Sequence, residues 1–154
     1  MNRSSKETRV VLAIASGGGH WDELLQLRGA FQDTTVHYAT TLPGLADRAG
    51  IRAHVIPDCN RKQPLRALRC AFALTALLVI VQPTVVVTTG ALPGLLAIAI
   101  ARKMGVRTVW IDSVANADEM SLAGQKARRH ADLWLTQWPA IAQQTGATYS
   151  GAVL

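Results

Sequence analysis

The chain has few cysteines, and this scarcity excludes two ways of stabilising a fold. Among its 154 residues only Cys59 and Cys70 carry a thiol, and neither they nor the four histidines show metal-ligand spacing. The first residues, Met1 to Thr8, lack the apolar core of a signal peptide. We therefore expect free thiols in a reducing cytosol and no need for a disulfide, a metal ion or another cofactor.

Acidic and aromatic side chains are also scarce. Ten Asp and Glu stand against 16 Lys and Arg, which gives a formal net charge of +6, while 49% of the residues are hydrophobic and only 5% are aromatic. Basic nucleic-acid binders are normally less apolar and keep aromatic side chains for stacking. The composition therefore argues against a nucleic-acid partner and favours an anionic membrane surface.

Positive charge and apolar residues are most concentrated where a basic segment leads into an apolar run. The cations are Arg61, Lys62, Arg66 and Arg69. The run from Cys70 to Val81 follows, with Thr75 as its only polar member. As a helix it is about 18 Å long, against roughly 30 Å of hydrocarbon, so it is too short to span a bilayer. Two interpretations remain: a helix buried against a sheet, or a helix partly sunk in the membrane interface. The cations can touch lipid head groups in both, so we expect a peripheral protein at the cytoplasmic face of the membrane, without a transmembrane span.

Apolar strands alternate with helical patterns from end to end, without repeats or a linker. Strands that are apolar without alternation are typical of a parallel sheet covered on both faces. We predict one α/β domain over 9–154, a Rossmann-like parallel sheet with helices on both faces, preceded by a flexible polar N-terminus at 1–8. The predicted strands are 9–15, 35–40, 52–56, 84–89, 107–112 and 133–136, and the predicted helices are 21–32, 43–49, 64–82, 93–104 and 119–130, before a final short segment.

A glycine-rich turn that ends in histidine separates the first strand from the first helix. It consists of Ser16, Gly17, Gly18, Gly19 and His20. Residues without a Cβ let the backbone approach an anion, and the free N–H groups of the following helix point at it. His20 adds a group that gives or takes a proton near neutral pH. The turn has neither the G-x-G-x-x-G nor the Walker spacing, so an anion site and a simple tight turn both remain open.

Two further loops follow strands of the predicted sheet. They are Thr88–Gly94, which contains Thr89 and Gly90, and Asp112–Ser121, which begins with Asp112 and Ser113. Ligands of parallel sheets bind beyond the carboxyl ends of the strands, so these loops and the glycine turn should converge. Each also has a plainer interpretation: the first suits an ordinary strand-to-helix connection and the second suits helix caps. Glu23, in the first helical turn, suits the helix dipole.

Together these motifs resemble a known family. The shared positions are Gly18-Gly19-His20-Trp21-Asp22-Glu23, Thr89-Gly90-Ala91, Gly105, Ile111-Asp112-Ser113, Ser121-Leu122-Ala123-Gly124, Ala131-Asp132 and Gln137-Trp138, which cover nearly the whole chain. On these residues the chain resembles the membrane-associated subunit of the two-part N-acetylglucosaminyltransferase of asparagine-linked glycosylation. It is equally similar to bacterial homologues that help to build capsule and exopolysaccharide. It departs from the family pattern at Trp21, where a small hydroxyl residue is usual, at Asp112, where a glutamate is usual, and at Asn116, where an arginine is usual.

The resemblance implies the N-terminal half of a GT-B glycosyltransferase, which binds the lipid-linked acceptor on the membrane. The donor-binding half would be a separate polypeptide, an expectation that agrees with the length of the chain. In the family the extreme C-terminus helps to dock this partner. The residues implied as partner-binding are Trp138, Gly151, Val153 and Leu154.

These observations lead to one hypothesis and two alternatives. The chain is expected to be a subunit of an inverting, two-component glycosyltransferase that moves a sugar from a UDP-sugar to a polyprenyl-diphosphate-linked acceptor, inactive without its partner and with His20 as general base. The residues expected to hold the acceptor and its phosphates are Ser16, Gly17, Gly18, Gly19, Glu23, Thr89, Gly90, Asp112 and Ser113. The alternatives are a non-catalytic membrane scaffold that activates a partner transferase and a stand-alone nucleotide-binding domain.

Overall fold

The computed structural model describes residues 9–153, so the predicted flexible segment at 1–8 and the last residue, Leu154, lie outside the described part. The strands are β1 (Val10–Ala15), β2 (Thr35–Thr40), β3 (Ala53–Val55), β4 (Val85–Thr88), β5 (Arg107–Ile111), β6 (Leu133–Thr136) and β7 (Thr148–Tyr149). The helices are α1 (Gly19–Gln26), continued by a 3₁₀ helix at Leu27–Phe31, α2 (Leu45–Arg48), α3 (Pro64–Val81), α4 (Ala91–Lys103), α5 (Leu122–Ala127) and α6 (Pro139–Thr145). The alternation of strands and helices is as predicted.

All seven strands of the described chain are parallel and form one sheet in the order β3-β2-β1-β4-β5-β6-β7. The order reverses between β1 and β4, and ligands of open parallel sheets bind at such a switch point, beyond the carboxyl ends of the strands. Ile14 of β1 pairs with Thr88 of β4, so the turns that follow these two strands leave the sheet side by side. The predicted Rossmann-like α/β fold, with helices on both faces of a parallel sheet, is confirmed.

Successive residues of β1 contribute to two hydrophobic cores. Leu12 and Ile14 belong to the core that α3 and α4 cover, whereas Val11 and Ala13 belong to the core that α1 covers. Because both faces of the sheet are covered, β1 is apolar at every position rather than at alternate ones.

The two cysteines lie in the first of these cores. Cys59 and Cys70 are buried as free thiols. Burial, and after it the neighbouring thiol of Cys59, raises the pKa of Cys70 to about 12. Both side chains therefore act as small apolar residues in the core.

The bounds of α1 and α5 differ from the prediction for local reasons. α1 begins at Gly19, earlier than predicted, because Gly18 takes φ +73 and turns the chain directly into the helix. α5 is shorter than predicted at both ends and begins at Leu122, because the Ser121 hydroxyl caps it. Neither the positive φ nor the cap depends on hydrophobic periodicity, on which the predicted boundaries were based.

The helix α3 connects β3 to β4 and has two different faces. Its buried residues are Cys70, Leu74, Leu77 and Leu78. The interpretation of a helix packed against the sheet therefore holds for this face, while the opposite face is open. The complete helix is longer than the apolar run considered above. Among the described residues it is the one helix long and apolar enough to cross a membrane, with a mean hydropathy of 1.8.

Candidate functional site

A cleft of about 360 Å³ opens at the carboxyl edge of the sheet. It is lined by Gly19, His20, Ala91, Ser113, Ala115, Asn116, Ser121 and Ala123. These residues come from the connections that follow β1, β4 and β5. The loops that were expected to converge each contribute to this one cleft.

Two helix N-termini border the cleft, and no side chain of the described residues caps either of them. α1 follows Gly18 and α4 follows Gly90, and neither helix receives a side-chain cap hydrogen bond. α5, in contrast, is capped by Ser121, whose hydroxyl accepts a 2.8 Å bond from the Gly124 N–H. Uncapped N–H groups need an acceptor, and the helix dipole is positive at this end. The starts of α1 and α4 therefore form an edge suited to an anion.

The turn between β4 and α4 has an unusual backbone. Gly90 has φ +138 and Ala91 has φ +63. A residue with a side chain costs about 1–2 kcal/mol in the left-handed region, and such strain is found preferentially at functional sites. A Cβ on Gly90 would lie 2.8 Å from Cε1 and 2.9 Å from Nδ1 of His20. Glycine is therefore required here for the backbone and for the space that the imidazole fills.

His20 is held against this turn through its main chain as well. The Thr89 hydroxyl donates a 2.6 Å hydrogen bond to the His20 carbonyl. Within the described residues, Nδ1 of the imidazole is buried without a hydrogen-bond partner. Nε2 is thus the ring nitrogen open to the cleft that His20 lines. A ligand can exchange a proton or a hydrogen bond with this side chain through Nε2 only.

Glu23 does not line the cleft but is hydrogen-bonded to the residues around it. Its side chain is 7% exposed and accepts hydrogen bonds from the Ser113 hydroxyl at 2.5 Å, the Val114 N–H at 3.3 Å and the Gln137 side-chain amide at 2.9 Å. The donors belong to the loop after β5 and to the end of β6. Glu23 therefore ties α1 to the opposite side of the cleft.

Asp112 is a second buried carboxylate with internal partners. It is 1% exposed. One oxygen accepts from the Trp110 indole at 3.1 Å and the Ser121 hydroxyl at 2.6 Å, and the other accepts from the Asn116 amide and the Ser121 N–H, both at 3.0 Å. Gly124 packs directly against it, leaving no room for a Cβ. Asp112 therefore fixes the positions at which Asn116 and Ser121 line the cleft.

The structure brings together part of the predicted acceptor site. Gly19, His20 and Ser113 line the cleft, and Thr89 and Gly90 hold His20 in place. Thr89 and Gly90 do not line the cleft themselves, and neither do the remaining predicted residues, Ser16, Gly17, Gly18, Glu23 and Asp112. Their observed contacts shape the turn and the loops, and direct contact with an acceptor stays a prediction for them.

Three polar residues of the site were not among the predicted site residues. Asn116 and Ser121 line the cleft, and the Gln137 amide bridges Glu23 and the Asp112 carbonyl. Gln137 follows β6 directly, and this position at the ligand edge is a signal that the sequence does contain. Its partner Glu23 lies 114 positions away, and local patterns do not report such a pair.

The predicted membrane cations are exposed around the start of α3. Arg66 and Arg69 border a pocket with Pro57 and Asp58. A groove of about 230 Å³, here called the α4–α5 groove, is lined by Arg61, Leu92, Leu95, Leu122, Ala123 and Lys126. A helix that connects two parallel strands runs antiparallel to them. The cationic start of α3 therefore lies at the same edge of the sheet as the cleft.

The open face of α3 carries large apolar side chains along its length, together with the exposed Arg69 near its start. Leu65 is 77%, Phe72 69% and Ile80 76% exposed, and Leu68 and Val79 are also more than half exposed. Their spacing places them on one side of the helix, and we call this surface the α3 stripe. An exposed apolar surface with charged neighbours marks a contact with a membrane or another protein.

Three of the residues implied as partner-binding, Trp138, Gly151 and Val153, lie beside β5 and β6, and the fourth, Leu154, is outside the described residues. The Trp138 indole donates a 2.7 Å bond to the Val114 carbonyl, and the Val153 N–H donates a 2.8 Å bond to the Gln137 side chain. Gly151 and Val153 border an apolar cavity of about 220 Å³. Their contact with a partner stays a prediction.

The cleft is chemically a set of donors around one imidazole. Within residues 9–153, no three His, Cys, Asp or Glu side chains are placed to hold a metal ion. The polar groups that line the cleft are helix N–H groups, His20 Nε2, the Asn116 amide and the hydroxyls of Ser113 and Ser121, which donate to Glu23 and Asp112. Such a set fits a ligand that brings both negative charge and hydroxyl groups.

Several solved structures share this fold. MurG of Acinetobacter baumannii superimposes with a TM-score of 0.70 at 17% identity, covering 85% of this chain and 42% of that chain. UDP-N-acetylglucosamine 2-epimerase of Rickettsia bellii gives 0.72 at 13%, covering 95% and 45%. MnaA of S. aureus, in a co-structure with UDP, gives 0.71 at 13%, covering 95% and 44%.

The sequence itself matches no family model and no curated protein. The chain spans less than half the length of the solved structures that it matches. The likeness therefore establishes the architecture: the chain has the Rossmann-like fold of a GT-B N-terminal-type domain.

Proposed function

We propose that this protein is the acceptor-binding subunit of a two-component glycosyltransferase. It holds a polyprenyl-diphosphate-linked acceptor at the cytoplasmic face of the membrane, while a second polypeptide binds the UDP-sugar donor. The observation that carries the proposal is the meeting of two uncapped helix N-termini and His20 Nε2 in one cleft of a GT-B-type domain. The fold is shared with MurG and with enzymes named as epimerases of a UDP-sugar.

The chemistry of the cleft supports binding of the acceptor diphosphate. The starts of α1 and α4 stabilise negative charge, so the diphosphate lies against them in this proposal. An acceptor hydroxyl then forms a bond to C1 of the donor sugar as the bond from C1 to UDP breaks, and His20 Nε2 takes the hydroxyl proton.

The tautomer of His20 differs between two possible roles in this reaction, a general base and a hydrogen-bond donor. A base that accepts at Nε2 carries its own proton on Nδ1, which has no acceptor among the described residues. A side chain that only donates a hydrogen bond from Nε2 leaves Nδ1 unprotonated. The substitutions below distinguish a base from a donor.

The residues that line the cleft are better suited to binding the acceptor than to binding the UDP-sugar donor. Among the described residues that line it, apart from His20, all are small or amide-bearing, so no tryptophan, tyrosine or phenylalanine is available to stack on a uracil ring. This supports a second polypeptide as the site of the UDP-sugar.

The surface of α3 supports attachment to the membrane. The α3 stripe offers an apolar face for the acyl boundary, and Arg61, Lys62, Arg66 and Arg69 are exposed where α3 starts. Each cation near an anionic surface contributes about 1 kcal/mol. The cleft lies at the same edge of the sheet, and this shared edge supports the proposal that a lipid-linked acceptor can reach it.

Substitution of His20 is the direct test. The chain is combined with a candidate donor-binding polypeptide, a UDP-sugar and a polyprenyl-diphosphate acceptor, and turnover is measured. We expect His20→Ala and His20→Gln to lower kcat equally, by about 100-fold or more, because neither side chain is a base. His54→Ala on β3 is the matched control and should leave turnover unchanged.

Other outcomes assign other roles. Turnover that survives in His20→Gln but not in His20→Ala identifies a hydrogen-bond donor, and unchanged turnover in both removes His20 from the reaction. Tight binding of a UDP-sugar by the chain alone would contradict the acceptor assignment.

A non-catalytic scaffold is the second candidate function. It is favoured because two buried carboxylates at the site form hydrogen bonds within the protein and are not free for catalysis. Because Glu23 and Asp112 are committed to internal hydrogen bonds, His20 is the one titratable side chain among the described residues that line the cleft. A scaffold predicts full turnover in His20→Ala together with loss of the partner from vesicles when the α3 cations are removed.

A further inference from the structure

We propose that the α4–α5 groove binds the first isoprene units of the acceptor lipid, with Arg61 and Lys126 beside its phosphates. This inference rests on the proposed function, because it assigns the lipid part of the same acceptor. It names a subsite outside the cleft, formed by residues that the sequence analysis did not assign to acceptor binding.

The groove adjoins the cleft. Ala123 lines both of them, and Leu92 of the groove follows Ala91 of the cleft in the first turn of α4. A ligand bound across the starts of α1 and α4 therefore has the groove as its neighbouring surface.

The groove combines apolar walls with unpaired positive charge. Leu92, Leu95 and Leu122 form its apolar part, and Leu122 is 63% exposed although it is a large hydrophobic residue. Arg61 and Lys126 stand at the same groove, and within residues 9–153 neither of them forms an ion pair. A ligand that covers these residues must bring negative charge and a hydrocarbon chain together.

The charge of the α4–α5 groove and its continuity with the α3 stripe identify the ligand that fits it. A free phosphate would leave the leucines exposed, and a UDP-sugar would place polar groups against them. A prenyl diphosphate brings the required anion and an apolar chain in direct succession. Arg61 precedes α3 by only a few residues, so the α3 stripe begins close to the groove and can cover the remainder of a long chain.

Farnesyl diphosphate is the probe for this subsite, and its binding to the full chain is measured by calorimetry. We expect Leu122→Asp and Lys126→Glu each to weaken its binding about tenfold, since one removes apolar contact and the other reverses a charge. Met104→Asp and Lys103→Glu, exposed at the far end of α4, are matched controls and should change it less than twofold. All four positions are exposed, and thermal melting checks that the variants fold.

Inorganic pyrophosphate and vesicles separate the possible sources of the binding. We expect pyrophosphate to bind about tenfold more weakly than farnesyl diphosphate, because it gains nothing from the leucines. We expect Leu122→Asp to leave binding to phosphatidylglycerol vesicles within twofold of the wild type, because the α3 stripe carries that contact. Equal binding of pyrophosphate, or a loss of vesicle binding that matches the loss of farnesyl diphosphate, would overturn the subsite.

The subsite and the proposed function fail in different ways. If His20→Ala abolishes turnover while the groove variants bind farnesyl diphosphate normally, the subsite is wrong and the function stands. If the groove variants lose farnesyl diphosphate while no sugar is transferred with any donor-binding partner, the subsite stands and the proposed function is wrong. A wild-type chain that does not bind farnesyl diphosphate overturns the subsite.

Discussion

The imidazole of His20 fills the space at the edge of the cleft that a side chain on Gly90 would need. We expect Gly90→Ala to displace His20 and lower turnover by about tenfold or more, since a misplaced catalytic group costs up to about 100-fold. The new Cβ would lie 2.8 Å from the ring, and φ +138 adds backbone strain. Urea unfolding and turnover of the same preparations provide the measurement.

Gly105→Ala is the control that separates collision from backbone strain. Gly105 has φ +77, and a Cβ there meets nothing within 4 Å. It should cost about 1–2 kcal/mol of stability without affecting the cleft. In a His20→Ala background the collision is absent, so Gly90→Ala should then cost less stability than it does in the wild type, with the backbone strain at φ +138 and ψ −165 remaining. An unchanged cost in that background would contradict the shared-space explanation.

Single residues were predictable where their chemistry is local. The glycine turn and His20 are visible because small residues, an imidazole and a strand-to-helix junction are adjacent in the chain. The bracing role of Glu23 was not, because its donors Ser113 and Gln137 lie 90 and 114 positions away. The sequence therefore indicated that Glu23 mattered but not what it touches.

At the scale of elements, Asp132 joins α4, β5 and the start of β6. Its carboxylate accepts from Arg102 of α4 at 2.6 Å and from the Thr108 N–H of β5 at 2.9 Å. Partial burial raises the pKa of Asp132, but the Thr108 N–H, the Arg102 guanidinium and the Thr108 hydroxyl outweigh it and hold the pKa below its ordinary value. The charged form is therefore the one that stabilises the junction.

We expect Asp132→Asn to destabilise the protein at pH 7 by about 1 kcal/mol, a modest value because the ion pair is roughly half exposed. The wild-type contribution is present above the unfolded-state pKa and is lost as pH falls through the lowered folded-state pKa. The difference between the two proteins should therefore shrink on acidification. Urea unfolding between pH 7 and pH 3 measures it, with Asp47→Asn in α2 as the exposed control. A difference that does not change with pH would contradict this assignment.

The existence and order of the helices and strands were predictable from the sequence. Which side of each helix is exposed was not. Apolar periodicity and Pro83 marked α3 and β4 correctly, because both are buried on at least one side. The same periodicity cannot report that Phe72 and Ile80 point away from the core, since an all-apolar helix shows no polar side.

For the whole molecule, the proposed attachment to a membrane depends on how the cations are distributed along the strand direction. We expect replacement of Arg61, Lys62, Arg66 and Arg69 by Gln to weaken binding to phosphatidylglycerol vesicles by roughly 100- to 1000-fold, since each cation near the surface contributes about 1 kcal/mol. Vesicle sedimentation at low and high salt measures the effect, which should fall as salt screens the charges.

Four cations at the opposite edge of the sheet provide a control with the same change in net charge. They are Arg9, Arg52, Lys103 and Arg107, which are exposed and lie next to strand starts or at the end of α4. Their replacement by Gln should leave vesicle binding within about twofold, since these charges are more than a Debye length from the bound surface. Equal losses in the two variants would show that net charge, rather than this edge, holds the protein on lipid.

The sheet order of the molecule could be anticipated only in part. A parallel, two-sided sheet follows from the uninterrupted apolar strands, and convergence of the loops follows from a parallel sheet. The exact neighbours of β1 depend on long-range pairing, such as Ile14 with Thr88, which no local pattern encodes.

The antiparallel course of α3 has a consequence for how the protein would meet its acceptor. Because the cationic start of the helix and the cleft share one edge, a chain held on lipid by that edge searches in two dimensions. Encounter then depends on how many acceptor molecules occupy a unit area of bilayer and on how fast they diffuse laterally. The bulk concentration of acceptor in the surrounding water would have little influence on the rate.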